Sequence, residues 1–186
     1  MDAISIMTWN WQQPSWPSFT WDREKLVRAE ILFAEQVGIV IGTVQHLDPE
    51  SREALTIEIM SGEACDTSAI EGEMLDRDSV QSSIRRQLGL EADRRAGPAE
   101  AGIAEMMVDL YRRLTEPLGH ETLFSWHRMV MNGRRDLGDV GRYRRHADPM
   151  QIVSGPVHRP RVHFEAPPSD RIPEEMERFL AWFGET

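Results

Sequence analysis

The 186-residue sequence predicts a mainly α fold, a helical bundle carrying a small β-hairpin. Apolar residues recur at three- and four-residue spacing through most of the chain, which is the helical period. Capping residues open these stretches, and glycine or proline closes them. Two short β-like runs, Gln151 to Ser154 and Arg161 to Phe164, flank Gly155-Pro156 and Pro160 and read as a hairpin with a loose loop.

Residues 1–19 are irregular and rich in Trp, Pro and Ser. Trp9, Trp11, Trp16 and Trp21 are expected to lay their rings across the helices that follow. An exposed aromatic platform for a partner is the alternative. Thr20 or Asp22 caps the first helix, in which Phe33, Val37, Val40, Ile41, Val44 and Leu47 recur. Gly38 and Gly42 sit four apart on it. Each costs about 1 kcal/mol relative to alanine, so close approach of a neighbouring helix is expected to offset them.

Asp48-Pro49 reads as an N-cap followed by a first-turn proline. The second helix runs toward Cys65, with Leu55 and Ile59 on one face, and delivers Thr67-Ser68-Ala69-Ile70-Glu71-Gly72 at its end or in a short following turn. Asp76 or Asp78 starts a third helix through Val80 and Ile84 to Leu88, closed by Gly89. Residues 91–98, EADRRAGP, are polar and contain Gly97-Pro98. The predicted organisation is therefore a helical domain over 1–90, a linker over 91–98 and a second domain over 99–186.

Ile103, Met106, Met107, Leu110 and Leu114 mark a fourth helix, with the methionines as core filler, and Pro117 and Gly119 stop it. Thr122 opens a fifth helix with Leu123, Trp126, His127 and Val130 inward. His127 reads as a packed, hydrogen-bonded histidine, with a ligand or base as the alternative. No Cys or acid stands at metal-ligand spacing from it, and no metal site is expected. Residues 132–149 hold five arginines, Arg134, Arg135, Arg142, Arg144 and Arg145. They read either as scattered ion pairs on a solvated loop or as an anion-facing surface. After the hairpin, Pro167-Pro168 leads into a last helix with Ile172, Met176, Phe179, Leu180 and Phe183 on one face. An apolar face of that kind calls for structure to cover it.

Composition excludes some functions. Hydrophobic residues make up 40% and charged residues 28%, ordinary for a globular chain. Net charge is −10, which argues against general nucleic-acid binding, since that requires a basic face. The single cysteine, Cys65, forbids an intrachain disulfide and reads as a packed thiol in a reducing compartment. The first residues lack the basic region of a signal peptide, and the run from Ile31 to Val44 is too short to span a bilayer. No membrane association and a cytoplasmic location are the expectations.

Thr67 and Glu71, four apart on a helix, stack a hydroxyl and a carboxylate on one face, with Gly72 behind the acid. Taken alone, Glu71 also fits a solvated helix end or a structural ion pair. The segment Thr67 to Leu90 resembles the region of the inhibitory motif of Fic-family proteins, the AMP transferases, whose pattern is Ser or Thr, three residues, Glu, then Gly or Asn. The segment Met7-Thr8-Trp9-Asn10-Trp11, with Pro14 and Trp16-Pro17, resembles the small helical domain of unknown function that precedes some Fic domains. Met150 to Gly155 and Val162 to Pro168 resemble the Fic flap hairpin and its exit. The three matches follow the family's order.

The catalytic signature of that family, His-Pro-Phe, two residues, Gly-Asn-Gly-Arg, is absent. Asn132-Gly133-Arg134 imitates its end, but His127 stands one residue too close, no proline follows it, and the segment precedes the flap. The sequence therefore resembles the front half of a Fic protein, ending at Gly184-Glu185-Thr186.

The resemblance implies an autoinhibitory and target-docking portion of a protein adenylyltransferase. Glu71 would be the brake, Thr67 would help orient it, and Gly72 would let the backbone turn. Gln151, Ile152, Val153, Ser154, Val162, His163 and Phe164 would form the flap that holds a protein substrate in register. No catalytic residue is assigned. Gly141 and one of Arg142, Arg144 and Arg145 fall where the family has a Gly-x-x-Arg-like segment, in an ambiguous register. ATP and Mg are implied only for a complete protein, and none for this chain alone, which is expected to be inactive. Implied partners are a protein substrate, a second copy or the missing catalytic half. The rival expectation is a non-catalytic helical binding module, or an antitoxin-like partner of a separate Fic chain.

Overall fold

The computed structural model describes residues 8–185. Met7, the start of the chain and Thr186 lie outside the described residues. Six helices and one hairpin follow in order: α1 (Arg23–Gln45), α2 (Pro49–Ile70), α3 (Arg77–Gln87), α4 (Pro98–Arg112), α5 (His120–Val130), β1 (Gln151–Ser154), β2 (Arg161–Glu165) and α6 (Ile172–Glu185). The fold is mainly helical with a small antiparallel hairpin, as the sequence predicts. No helix among the described residues is long and apolar enough to cross a membrane.

The helix starts follow from their caps. Asp48 accepts from the Ser51 amide at 2.9 Å and hydroxyl at 2.7 Å, with Pro49 opening α2. Asp76, not Asp78, caps α3, accepting from the Ser79 amide at 2.9 Å and hydroxyl at 2.6 Å. These bonds hold both carboxyls below the usual aspartate range. α5 opens two residues before Thr122, with Gly119 in the cap position.

Contacts divide the chain into two compact units. One comprises Gly42–Tyr143 with the residues from Glu177 onward. Its core joins Ile57, Met60 and Ala64 of α2, Val80 and Ile84 of α3, and Ile103, Ala104 and Val108 of α4. Residues 91–98, largely exposed, connect α3 to α4 within this unit, and Arg94 ties them down through Asp76 and Asp78, both at 3.1 Å. Met106 and Met107 pack against the cluster as filler. The buried face of α2 runs through Ile57, Met60, Ser61 and Ala64, whereas Ile59 is exposed. Apolar residues lie all around α2, so periodicity could not single out the stripe that α3 and α4 cover. Val130, expected inward, is also exposed.

Gly102 is why α4 and α5 lie so close. A Cβ there would stand 1.9 Å from the Met129 carbonyl oxygen, a position no side chain can occupy.

The other unit comprises the residues up to Ile41 with Arg144–Met176. Here Trp9 and Trp11 meet the hairpin, whereas Trp16 reaches a helix, α6. Trp11 is buried, and its indole donates to the Glu165 carbonyl at 2.7 Å. Trp9 meets Phe164 edge-on at 5.8 Å, and the Arg171 guanidinium lies 5.2 Å from the Trp11 ring. Trp16 donates to Glu175 at 3.3 Å, while Trp21 is exposed. No residue of α1 is buried. Gly38 and Gly42 have no atom within 4 Å of where a Cβ would stand, so the close helix approach expected from their spacing is not found among the described residues.

Candidate functional site

Thr67, Glu71 and Gly72 lie at the C-terminal end of α2. Glu71 is its C-cap, and Gly72 takes φ +86°, the left-handed conformation that glycine adopts without a Cβ penalty. The Gly72 amide donates to the Ala69 carbonyl at 3.0 Å, and the Glu73 amide donates to Ser68 at 2.9 Å. This nested pair is a Schellman closure, and it turns the chain sharply after the acid.

The closure leaves the Glu71 side chain outside the helix. Its carboxylate is exposed and has no hydrogen bond or ion pair among the described residues. A helix C-terminus carries partial negative charge, so an acid there is locally disfavoured. Two apolar neighbours flank it, Ile70 at 82% exposure and Met74 at 83%. Thr67 is placed differently. Its hydroxyl donates to the Glu63 carbonyl at 2.6 Å, within its own helix, so Thr67 meets Glu71 only through the backbone, the Glu71 amide donating to the Thr67 carbonyl at 3.4 Å.

A cleft of about 140 Å³ opens beside this helix end, lined in part by Ser68, Glu73, Ile103, Asn132 and Arg134. Arg134 is taken. Its guanidinium forks onto Asp136 at 2.9 and 2.8 Å, and this pairing holds the Asp136 carboxyl down to about 2. Arg142 pairs with Asp139 at 2.8 Å, and Arg144 donates to the Pro167 carbonyl. Of the two readings open for the arginine-rich loop, ion pairing describes Arg134 and Arg142, while Arg144 is held by a backbone carbonyl. His127 accepts from the Gly141 amide at 3.2 Å, which is the packed, bonded reading. The described residues hold no group of three or more His, Cys, Asp or Glu suited to a metal ion.

The hairpin presents the other expected site residues. Gln151 pairs with Glu165, Ile152 with Phe164, Val153 with Val162 and Ser154 with Arg161. The register shifts between Ile152 and Val153, leaving His163 as the extra residue of β2. Every β1 residue is exposed, Ile152 at 62%. Ser154 and His163 bond across the strands at 2.6 Å. β2 has its back to Trp9 and Trp11, and among the described residues no strand other than β2 pairs with β1. No local pattern marks the tryptophan backing, because Trp11 and Glu165 are 154 residues apart.

Residues 9–90 match a family described as "Domain of unknown function (DUF4172)". The match runs from Trp9 through α3, so it takes in Glu71 and Gly72 and stops before the hairpin. No curated protein matches the chain.

Proposed function

We propose that this chain is the autoinhibitory and target-docking portion of a Fic-type protein adenylyltransferase. The observation that carries this reading is Glu71: an exposed carboxylate, without a partner among the described residues, at a Schellman-closed helix end. A guanidinium cannot fork onto a carboxylate and a phosphate at the same time. In the complete enzyme Glu71 would occupy the arginine of the signature and deny it to the γ-phosphate of ATP. Transfer of AMP depends chiefly on how the phosphates are placed and their charge balanced, so removing one guanidinium stops it. The open edge of β1 would take a target segment as an added strand, with main-chain bonds setting its register.

In this reading ATP and Mg belong to the complete protein, and the chain alone transfers nothing. The experiment is incubation with labelled ATP and candidate targets, the chain itself included. Absence of label fits the reading, and appreciable transfer defeats it.

The exposed aromatics of α6, Phe179, Trp182 and Phe183, favour a second reading. It makes the chain a non-catalytic module that binds a separate Fic chain. Co-purification with a protein carrying His-Pro-Phe supports it, whereas the signature encoded directly downstream supports the first reading.

A further inference from the structure

His120 opens α5, and its two ring nitrogens have different partners. Nδ1 lies 2.5 Å from the Tyr143 hydroxyl, and Nε2 lies 2.8 Å from Glu177 Oε1. Phe124, one turn along α5, meets the same phenol edge-on at 4.8 Å, and the imidazole does so at 5.8 Å. Burial and then the Glu177 charge push the Tyr143 phenol up, so the phenol keeps a proton with which to bond His120. Nε2, the other ring nitrogen, faces the Glu177 carboxylate.

These partners have a special place in the chain. Tyr143 immediately precedes the segment 144–176, and Glu177 immediately follows it. That segment carries β1 and β2. Both of its roots therefore bond to one imidazole. Tying the ends of a long excursion to a single side chain removes conformational freedom that the excursion would otherwise keep.

We propose that Tyr143, His120 and Glu177 form a latch on the hairpin-bearing segment, with His120 as its pin. Opening the latch frees residues 144–176 at both roots together while leaving the α2–α4 core intact. The latch does not depend on what the hairpin binds, so it stands apart from the transferase reading.

Amide hydrogen exchange on the full chain tests it, comparing wild type with His120→Ala, Tyr143→Phe and Glu177→Gln. Loss of both bonds corresponds to roughly a tenfold rise in opening. His120→Ala is expected to speed exchange about tenfold at residues 143–150 and 165–177, with protection around Ile57, Ile84 and Val108 unchanged. Tyr143→Phe and Glu177→Gln each give a smaller rise at both roots. Glu177→Gln added to His120→Ala gives nothing further, because the pin is already gone. Unchanged exchange at the roots, a rise spread evenly over the core, or full additivity of that pair overturns the latch. If His120→Ala does not fold, the two milder variants decide the question by whether both roots respond together.

Discussion

The indole N–H of Trp11 donates to the backbone carbonyl of Glu165 at 2.7 Å, joining the irregular N-terminal segment to the last residue of β2. A two-stranded hairpin is marginal by itself. Trp9 and Trp11 give this one an apolar back, and Arg171 lies over the Trp11 ring. The tryptophans near the start of the chain thus act as a support for the strands near its end.

Trp11→Phe keeps most of the apolar area and removes the donor. It is expected to cost about 1 kcal/mol in urea unfolding and to speed amide exchange in β2 before α2 or α3. A Trp11→Phe variant with unchanged β2 protection would contradict the support.

Two glycine substitutions should act in opposite directions. Gly102→Ala forces a Cβ against the Met129 carbonyl oxygen, where backbone must move, and should cost about 3 kcal/mol or more. Gly38→Ala, in open space within α1, should stabilise by about 1 kcal/mol or less. Thermal unfolding of both variants checks the pair, and equal effects would mean that α4 and α5 are not packed as described.

Acid should loosen the chain in a definite window. Asp109 accepts from the Trp126 indole at 2.8 Å and from Arg113 at 3.0 Å. Burial pushes its carboxyl up, but these two donors outweigh burial and hold it below the ordinary value of 3.8. A carboxyl lowered on folding adds stability that is complete above the unfolded pKa and is lost as pH falls through the folded one. Stability should therefore be level above about pH 5 and decline below 3.8. Asp109→Asn should flatten part of that decline in a series of urea midpoints against pH. A decline of the same depth in the variant would count against the role of Asp109.

Glu71 should be a liability to the chain that carries it. Glu71→Lys exchanges an acid for a cation at the C-terminus of α2 and should stabilise by roughly 0.5 kcal/mol at low salt, fading as salt is added. Gly72→Ala, which strains a left-handed position, should cost about 1 kcal/mol. A loss of stability in Glu71→Lys would mean that the carboxylate is already satisfied by a partner.

How much of this was legible in the sequence depends on the range over which each feature is determined. Asp48-Pro49 and the Glu71-Gly72 helix end are local, set by hydrogen bonds spanning a few residues, and they were legible, while the α3 start was narrowed to Asp76 or Asp78. The β-runs around Gly155-Pro156 were legible for the same reason. The buried stripe of α2 was not, because apolar residues at Leu55, Ile57, Ile59 and Met60 leave the choice of face to the helices that cover it. No local signal marks Gly102 as a close approach, because α5 supplies the Met129 carbonyl that meets it. Trp11 had to be placed by a partner 154 residues away, which no local pattern encodes. At the candidate site the placing of Glu71 near a helix end was legible, whereas the choice between solvation and an ion pair, and the Thr67 hydroxyl bonded back to Glu63, were not.

The most direct measurement is automodification by a longer version of this protein that carries the His-Pro-Phe signature, with labelled ATP, comparing wild type with Glu71→Gly. If the unpaired carboxylate is a decoy for the phosphate-binding arginine, the variant labels itself at least tenfold faster while its fold is unchanged. Equal or slower labelling by a folded variant would contradict the account.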